Sequence, residues 1–476
     1  MQFEKIKTCN FGEIGKGQAN VNLRYVANKE ISKVLAIKCD AIVTDSKVQE
    51  NLVNYKGRAE CKLVFVDTNG ELQSATFFTE FNDSIVATAG EGERSFKCVT
   101  VDVNHTVSAN VVVVNCLVEV KLWAFETHVG QNLLSGVNLL TSPKTFVERG
   151  AIHDCTLEVD SQWNLDFELN ILSCFCEVVV DDCTAQEEVL TVVGRGFLHL
   201  TALSEGKILS KVLPFDVNGQ CMCATEGQLT VQATVKNTKL HVEVDGSSTL
   251  LSMDVTLGLE VKELVVATKE IAMDAYSTTS LLNVEYQQIP CTKLCGRANF
   301  TTNCALEDNA QDYVGTALYG VVLTNAVVQH KTVTAEGVVS VVLVYKDQDY
   351  WSKEVEIPFS CQTPVDFSCD GSVCACATLG EVTAVANGDN LEINAVVNVV
   401  AECFEEELVK TLCQAQEVGS LPKRSTIEIC MAKKGETLWQ LGKSMGVDVD
   451  EILLINPDLS NPLEKDTKIV LYHKID

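Results

Sequence analysis

Residues 57–81 read GRAECKLVFVDTNGELQSATFFTEF, and this stretch decides the fold of the chain. Two runs rich in β-branched and aromatic residues flank the dipeptide Asn69-Gly70. Asn-Gly between alternating runs favours a two-residue turn with positive φ, which matches the twist of an antiparallel hairpin. The segment therefore predicts a β-hairpin that opens at Gly57 and closes at Phe81.

Two further segments are similar to this hairpin. Residues 194–215 and 335–359 each open on a small residue, pass through a polar turn and close on phenylalanine. The opening positions 57, 194 and 335 lie 137 and 141 residues apart. A near-constant period is typical of an architecture in which one supersecondary unit recurs along the chain. The sequence therefore predicts three tandem repeats.

Each repeat has the composition of β structure. Val, Thr, Ile and Leu dominate long stretches, and the connections are too short for the crossover helices of a parallel sheet. We predict a mainly β chain with three sandwich-like or barrel-like repeats. The predicted boundaries are 1–135, 136–268 and 269–416 for the repeats and 417–425 for a linker. Residues 133–143 and 269–280 are predicted to carry short helical connectors.

Charge and hydropathy exclude two classes of protein. The formal net charge of the 476-residue chain is -28, and no run of Lys and Arg offsets it. Such a chain repels the phosphate polyanion, so nucleic acid is not an expected partner. No apolar stretch reaches about 18 residues, so no membrane span is predicted. The residues after Met1 do not resemble an export signal, which predicts a cytoplasmic location.

The pattern changes near residue 426, where an alternating strand begins. GETLWQLGKSMG at residues 435–446 has apolar residues at helical spacing and a glycine where a helix C-cap belongs. A second apolar run at residues 447–455 is predicted to be a helix that Pro457 ends. A last strand at residues 468–472 completes a predicted βααβ module at residues 426–473.

This module resembles the LysM domain, because Gly435 to Trp439 and Asn456-Pro457 stand in the order and spacing of that family. The resemblance implies a shallow groove between the loop before the first helix and the loop after the second. In the family this groove holds glycans that contain N-acetylglucosamine; on this chain a protein contact is the alternative. The implied groove residues are Gly435, Glu436, Thr437, Leu438, Asn456, Pro457, Asp458 and Leu459.

The repeats resemble the DUF3794 domain, also called the SPOCS domain. The resemblance is carried by residues 37–41 (IKCDA), residues 57–59 (GRA) and the hairpin that follows. Three such units before a LysM module are similar to the stage IV A-interacting family of clostridial spore-coat morphogenesis proteins. The resemblance implies a cytoplasmic protein of the mother cell at the forespore surface. It also implies a partner, the polymerising ATPase of the coat basement layer, which the LysM region would contact.

Cysteine is the residue type whose chemistry is left open. The chain has 21 cysteines, and several are separated by a single residue. Because residues i and i+2 share one face of a strand, two such pairs could form a tetrahedral zinc site. The candidate ligands are Cys174, Cys176, Cys221 and Cys223. Buried reduced thiols are the interpretation that we prefer, and thiols that cross-link in an oxidised coat are a further alternative.

No pattern typical of catalysis is present. The seven histidines form no His-Glu-x-x-His motif, and no nucleophile elbow is found. We therefore predict a non-enzymatic protein without a cofactor. The leading hypothesis is a scaffold or adaptor in spore-coat assembly, whose repeats supply sheet edges and broad faces for self-association or for docking of a partner. The alternative is a cell-wall protein that binds peptidoglycan through the LysM groove.

Overall fold

The structure is a computed structural model that describes residues 1–87, 94–165, 170–204, 207–245, 248–421 and 427–472. Strands make up most of the chain, and two short helices lie near its C-terminal end, which confirms the predicted mainly β class. No helix in the described ranges is long and apolar enough to cross a membrane.

The first unit contains six antiparallel strands in two sheets. These are β1 (Gln2–Val26), β2 (Ile31–Gln49), β3 (Leu52–Asp67), β4 (Leu72–Val86), β5 (Arg94–Ser108) and β6 (Val111–Ser135). One sheet has the order β1-β6-β5 and the other the order β2-β3-β4. The sheets face each other across a core of Val, Leu, Cys and aromatic side chains. Their edges adjoin at β1 with β4 and at β2 with β5, so the sandwich approaches a barrel.

The same topology recurs in two further units. The second comprises β7 (Asn138–Leu165), β8 (Asn170–Gln186), β9 (Val189–Ser204), β10 (Lys207–Met222), β11 (Gln228–Asp245) and β12 (Ser248–Tyr276). The third comprises β13 (Ser280–Asn309), β14 (Tyr313–Gln329), β15 (Thr332–Lys346), β16 (Tyr350–Pro364), β17 (Ser372–Asn387) and β18 (Asn390–Ser420). Their sheets have the orders β7-β12-β11 and β8-β9-β10, then β13-β18-β17 and β14-β15-β16.

The connections between units differ from the expected ones. The prediction of helical connectors at residues 133–143 and 269–280 is wrong, because strands run through both stretches. Their backbone groups are taken by antiparallel pairing that extends to Tyr276 opposite Asn138. The break between the second and third units covers residues 277–279, beyond the predicted boundary at 268/269. The division of the chain into domains stays a prediction.

A glycine opposite a phenylalanine recurs in the second sheet of every unit. The pairs are Gly57 with Phe81, Gly196 with Phe215 and Gly337 with Phe359. A Cβ at these glycines would lie 2.3, 2.0 and 2.5 Å from the ring, so the ring covers the bare backbone. The equivalent opening residues are therefore Gly196 and Gly337, each two positions after the predicted ones, Gly194 and Ala335.

The three units pack against one another through two large apolar clusters and a small one around Leu133, Ala272 and Leu412. Residues from the first sheet of each unit form one large cluster, in which the Phe11 and Phe404 rings lie 5.0 Å apart between centroids. Residues from the second sheets form the other large cluster, and Leu35, Ile208 and Leu318 represent the three units. The three β units, which together form the body of the chain, therefore share cores that form only when the units pack together.

A small module follows the β units. It contains β19 (Ile427–Ala432), α1 (Leu438–Met445), α2 (Val449–Ile455) and β20 (Thr467–Tyr472), with β19 and β20 paired antiparallel. Its own core includes Leu441, Ile452 and Ile469. This order confirms the predicted βααβ module. Of the predicted linker, residues 417–420 belong to β18, whereas residues 422–425 lie outside the described residues.

Candidate functional site

Local capping signals fix both helices of the module. The Thr437 hydroxyl accepts a hydrogen bond from the Gln440 amide, and the Gln440 side chain accepts one from the Thr437 amide. This capping box starts α1, and Gly446 ends it with a φ of 55°, the left-handed conformation predicted for the C-cap. The Asp448 carboxylate caps α2 by accepting from the Asp450 amide at 2.8 Å.

Hydrogen bonds join the two loops that flank the helix pair. The Gly435 amide donates to the Leu463 carbonyl at 2.8 Å, and the Leu463 amide donates to the Glu436 carbonyl at 2.9 Å. The Leu438 amide donates to the Asn461 side chain at 3.1 Å. The predicted groove residues of the loop before α1 therefore lie against residues 461–463 of the loop after α2.

Two of the predicted groove residues, Leu438 and Asn456, make contacts within the module instead of facing the groove. Leu438 is 4% exposed and belongs to the module core, so it cannot cover the face of a sugar. The Asn456 side chain donates to the Ile452 and Val470 carbonyls at 3.0 and 2.9 Å and accepts from the Val470 amide at 3.1 Å. Asn456 thus ties the end of α2 to β20.

The remaining predicted groove residues lie at the surface. Gly435, Pro457 and Asp458 are exposed, and Glu436, Thr437 and Leu459 are half-buried. Nothing lies within 4 Å of the position that a Cβ at Gly435 would take, so the surface above this loop is open. These positions offer backbone groups, a hydroxyl and a carboxylate to a ligand.

One flank of α1 docks on the second β unit. Asp274 of β12 accepts from the Trp439 indole at 3.0 Å and pairs with the Lys443 ammonium at 2.6 Å. Burial alone would raise the pKa of Asp274, but the bonds from Lys443 and Trp439 hold it below its usual value. The carboxylate therefore stays ionised and links the module to the body.

Aromatic contacts complete this junction. The Tyr276 ring meets the Trp439 ring edge-on with centroids 4.8 Å apart, and its hydroxyl donates to the Val447 carbonyl at 2.8 Å. A Cβ at Gly442 would lie 2.5 Å from the Tyr276 hydroxyl, so glycine permits this approach. The sequence did not predict the junction, because Asp274 and Tyr276 lie in a stretch assigned to a helical connector.

A cavity of about 1550 Å³ lies where the three units meet. Its walls come mainly from equivalent strands, namely β2 and β5, β8 and β11, and β14 and β17. Charged residues of both signs face it, among them Lys38, Lys97, Glu177 and Glu260. The sequence offered no signal for this cavity, because its walls come together only when separate repeats pack.

Glu177 and His199 form a polar cluster beside this cavity. The His199 ring is buried between the Tyr319 hydroxyl at 3.2 Å and the Leu379 carbonyl at 3.0 Å. Burial lowers the pKa of His199 to about 3, so the ring is neutral. The Glu177 carboxyl faces the Leu379 amide, and burial raises the pKa of Glu177 to about 7 although Lys38 opposes the shift.

The cysteine pairs do not converge as the zinc hypothesis requires. Cys174 and Cys176 lie opposite Leu200 and Leu198 of β9, whereas Cys221 lies opposite Leu190. Eight residues of a strand separate the two pairs, which is about 26 Å. The four residues therefore cannot share one metal ion.

Cys221 and Cys223 instead face the thiol of Cys155. Burial, reinforced by Cys155, raises the pKa of Cys221 to about 11 and that of Cys223 to about 12. These side chains therefore carry protonated thiols and belong to the apolar core of the second unit.

Comparison with known proteins bears on the C-terminal module. No curated protein and no solved structure matches the chain. The likeness of the repeats to the DUF3794 domain therefore stays a prediction. Residues 431–467 match the family model of the LysM domain, which confirms the LysM-type module predicted from the sequence.

Proposed function

We propose that this chain is a non-enzymatic β scaffold whose LysM-type module binds glycans that contain N-acetylglucosamine, with peptidoglycan as the expected natural ligand. The observation that carries the proposal is the match of residues 431–467 to the LysM domain. The open surface at Gly435, Pro457 and Asp458 supports it. A neutral sugar needs a few convergent polar groups and a shallow apolar wall, which such a surface can offer.

A blocking substitution at the rim of the predicted groove tests this proposal. Asp458 is exposed, so Asp458→Trp places a large ring over the groove without disturbing the module core. Glu451→Trp is the matched control, because Glu451 is an exposed residue of α2 outside the predicted groove. We expect binding of an N-acetylglucosamine oligomer in calorimetry to weaken at least tenfold in Asp458→Trp and to stay unchanged in the control.

Insoluble peptidoglycan serves as a second ligand in the same comparison. The glycan role is supported if peptidoglycan retains the unmodified chain and the Glu451→Trp control but retains less of Asp458→Trp. Failure of the unmodified chain to bind either the oligomer or peptidoglycan contradicts it. Circular dichroism of both variants checks that the module is folded.

A specific observation favours a second candidate, an adaptor that contacts protein. The outward face of β19 carries Ile429 and Met431, which are 57% and 67% exposed, and Leu454 on α2 is 83% exposed. Ile429 and Met431 share one face of β19, and neighbouring exposed apolar side chains are typical of protein contacts that glycan binding in the groove does not use. By resemblance, the occupant of this face is the ATPase of the spore-coat basement layer.

The adaptor candidate has its own test. Ile429→Asp with Met431→Asp removes the apolar face but leaves the predicted groove intact, because both side chains point away from the module core. We expect this double variant to lose the ATPase in a pull-down while it still binds the N-acetylglucosamine oligomer. Undiminished ATPase binding contradicts the adaptor role of this face.

Two further parts of the proposal concern activity and location. We propose that the chain does not turn over peptidoglycan. Release of new reducing ends from peptidoglycan incubated with the chain would contradict this. For the adaptor candidate we propose a cytoplasmic location at the forespore surface of the mother cell. Fluorescence microscopy of the tagged chain in a sporulating cell checks it.

A further inference from the structure

Two thiols and a carboxylate converge at one edge of the third unit. They belong to Cys295 on β13, Cys369 in the segment before β17 and Glu405 on β18. The three donor atoms all lie within 4.8 Å of one another, and the Cys295 Sγ lies 3.7 Å from Glu405 Oε2. We infer that these three side chains bind a thiophilic divalent cation, with Zn²⁺ as the expected ion.

A β-bulge places Cys295 in this cluster. Leu294 pairs with Phe404 and Gly296 with Cys403, so Cys295 is the extra residue that has no partner on β18. Bulges of this kind redirect a side chain away from the alternation of the strand. The bulge turns the Cys295 thiol toward the segment that carries Cys369.

A bulge is also present in the corresponding strand of the other two units, where it carries no thiol. The extra residue is Ile14 in the first unit and Glu148 in the second. The deformation of the backbone is therefore a property of the fold. A cysteine at this position, with a second cysteine and a carboxylate beside it, distinguishes the third unit.

The distances agree with tetrahedral coordination. Zn–S bonds of about 2.3 Å and Zn–O bonds of about 2.0 Å put neighbouring ligand atoms roughly 3.5–3.8 Å apart. The separation between Cys295 and Glu405 already has this value, and the other two need only small side-chain rotations. Three protein ligands leave a fourth position, which we assign to water.

The surroundings favour a stable ion. Cys369 is 1% exposed, and Cys295 and Glu405 are half-buried, so the ion would sit partly shielded from solvent. The Phe367 ring packs over the backbone of Gly296 beside the cluster. Burial, together with the Cys369 thiol, raises the pKa of Cys295, so a cation that binds this sulfur must displace its proton.

Cobalt substitution tests the site in the full chain purified under reducing conditions. Co²⁺ coordinated by thiolates gives a charge-transfer band and tetrahedral d–d bands. We expect one equivalent of Co²⁺ to produce both and Zn²⁺ to displace it. Cys295→Ser and Cys369→Ser should each weaken binding at least tenfold. Cys361→Ser, which removes another half-buried thiol of the same unit, should bind as the unmodified chain does.

Two measurements keep the inference testable if a variant fails to fold. In the unmodified chain, Zn²⁺ should protect Cys295 and Cys369 from alkylation, as mass spectrometry of the peptides reports. Cys413→Ser, which removes a half-buried thiol elsewhere on β18, should retain binding. Absence of the cobalt bands, equal alkylation with and without Zn²⁺, or loss of binding in Cys413→Ser overturns the assignment.

Discussion

Replacement of Lys262 by methionine should destabilise the body of this protein more than loss of any surface ion pair. The Lys262 side chain is 1% exposed, and its ammonium lies 3.0 Å from the fully buried Glu402 and 3.3 Å from Glu260. Glu260 in turn accepts a hydrogen bond from Ser95 at 2.7 Å. Because these residues belong to β12, β18 and β5, one cation links all three units.

The expected magnitude follows from what the substitution leaves behind. Methionine has nearly the volume of lysine but carries no charge, so Glu402 keeps a buried carboxylate without a cation. The second oxygen of Glu402, Oε1, has no hydrogen-bond partner among the described residues. Breaking a buried pair by removing one partner costs about 3–5 kcal/mol. We expect Lys262→Met to fall in this range.

The second half of the experiment removes both charges. Lys262→Met with Glu402→Leu replaces the pair by apolar side chains of similar size, and such replacements are often neutral or stabilising. The double variant should therefore be more stable than Lys262→Met. Arg195→Met is the surface control. Arg195 and Asp181 are partly exposed and 2.8 Å apart, so its loss should cost no more than about 1 kcal/mol.

The assay is chemical denaturation combined with amide hydrogen exchange. A chain with three packed units need not unfold in one step, so exchange in β12 and β18 locates the part that opens. Lys262→Met should accelerate exchange in both strands. A cost below about 1 kcal/mol, or a double variant less stable than Lys262→Met, would refute the claim that this cation stabilises the unit interfaces.

Three further predictions concern other parts of the chain. Phe215→Ala should lower the free energy of unfolding of the second unit by about 3–5 kcal/mol in denaturant titration, because the buried ring covers Gly196. Phe78→Ala is the control at an exposed position and should cost under about 1 kcal/mol. Asp274→Ala removes the hydrogen bond from the Trp439 indole, worth about 1.5–3 kcal/mol, and the half-exposed ion pair with Lys443, worth no more than about 1 kcal/mol. The module should become sensitive to protease while the body stays resistant. The Glu177 carboxyl has a raised pKa in the folded chain, so the free energy of unfolding should fall by at most about 3 kcal/mol as pH rises from about 4.5 to 7. Denaturation at a series of pH values measures this fall, and Glu177→Gln should abolish it.

The C-terminal module could be predicted well because its signals are local. Gly446 and the apolar spacing of α1 specify a helix and its end without reference to the rest of the chain. The role of Asn456 was not predictable in the same way. Its side chain is satisfied by backbone groups of β20, and that strand begins eleven residues further along the chain.

The β units could be predicted as a class but not in their detail. The hairpin at Asn69-Gly70 and the recurring phenylalanine identified the repeats, because turn chemistry and alternation are local. The repeat opening was placed two residues early at Gly194, since the pairing of Gly196 with Phe215 is a contact across strands. The hairpin predicted at residues 57–81 was also too short, because β3 begins at Leu52 and β4 ends at Val86. The second half of β6 pairs with β1 but packs its side chains on other units, which changes the pattern of buried positions.

Inter-unit features had no signal in the sequence. The cavity and the Lys262 pair join residues of different units that are far apart along the chain. Cys174 and Cys221, which were candidate zinc ligands on the sequence alone, illustrate the limit. The rule that residues i and i+2 share a face is correct, but it says nothing about how far along β9 each pair lies.

The junction at Asp274 determines what a recognition module can do on this body. A module held by a flexible linker samples many orientations, and a ligand bound to it has no defined place relative to the scaffold. Here the Trp439 indole, the Lys443 ammonium and the Val447 carbonyl are all held by residues of β12. These contacts use one flank of α1 and the loop that follows it, whereas the predicted groove lies at the N-terminal end of the helix. The same surface that anchors the module therefore leaves the groove open, so a ligand bound there is held at a fixed position on the three β units.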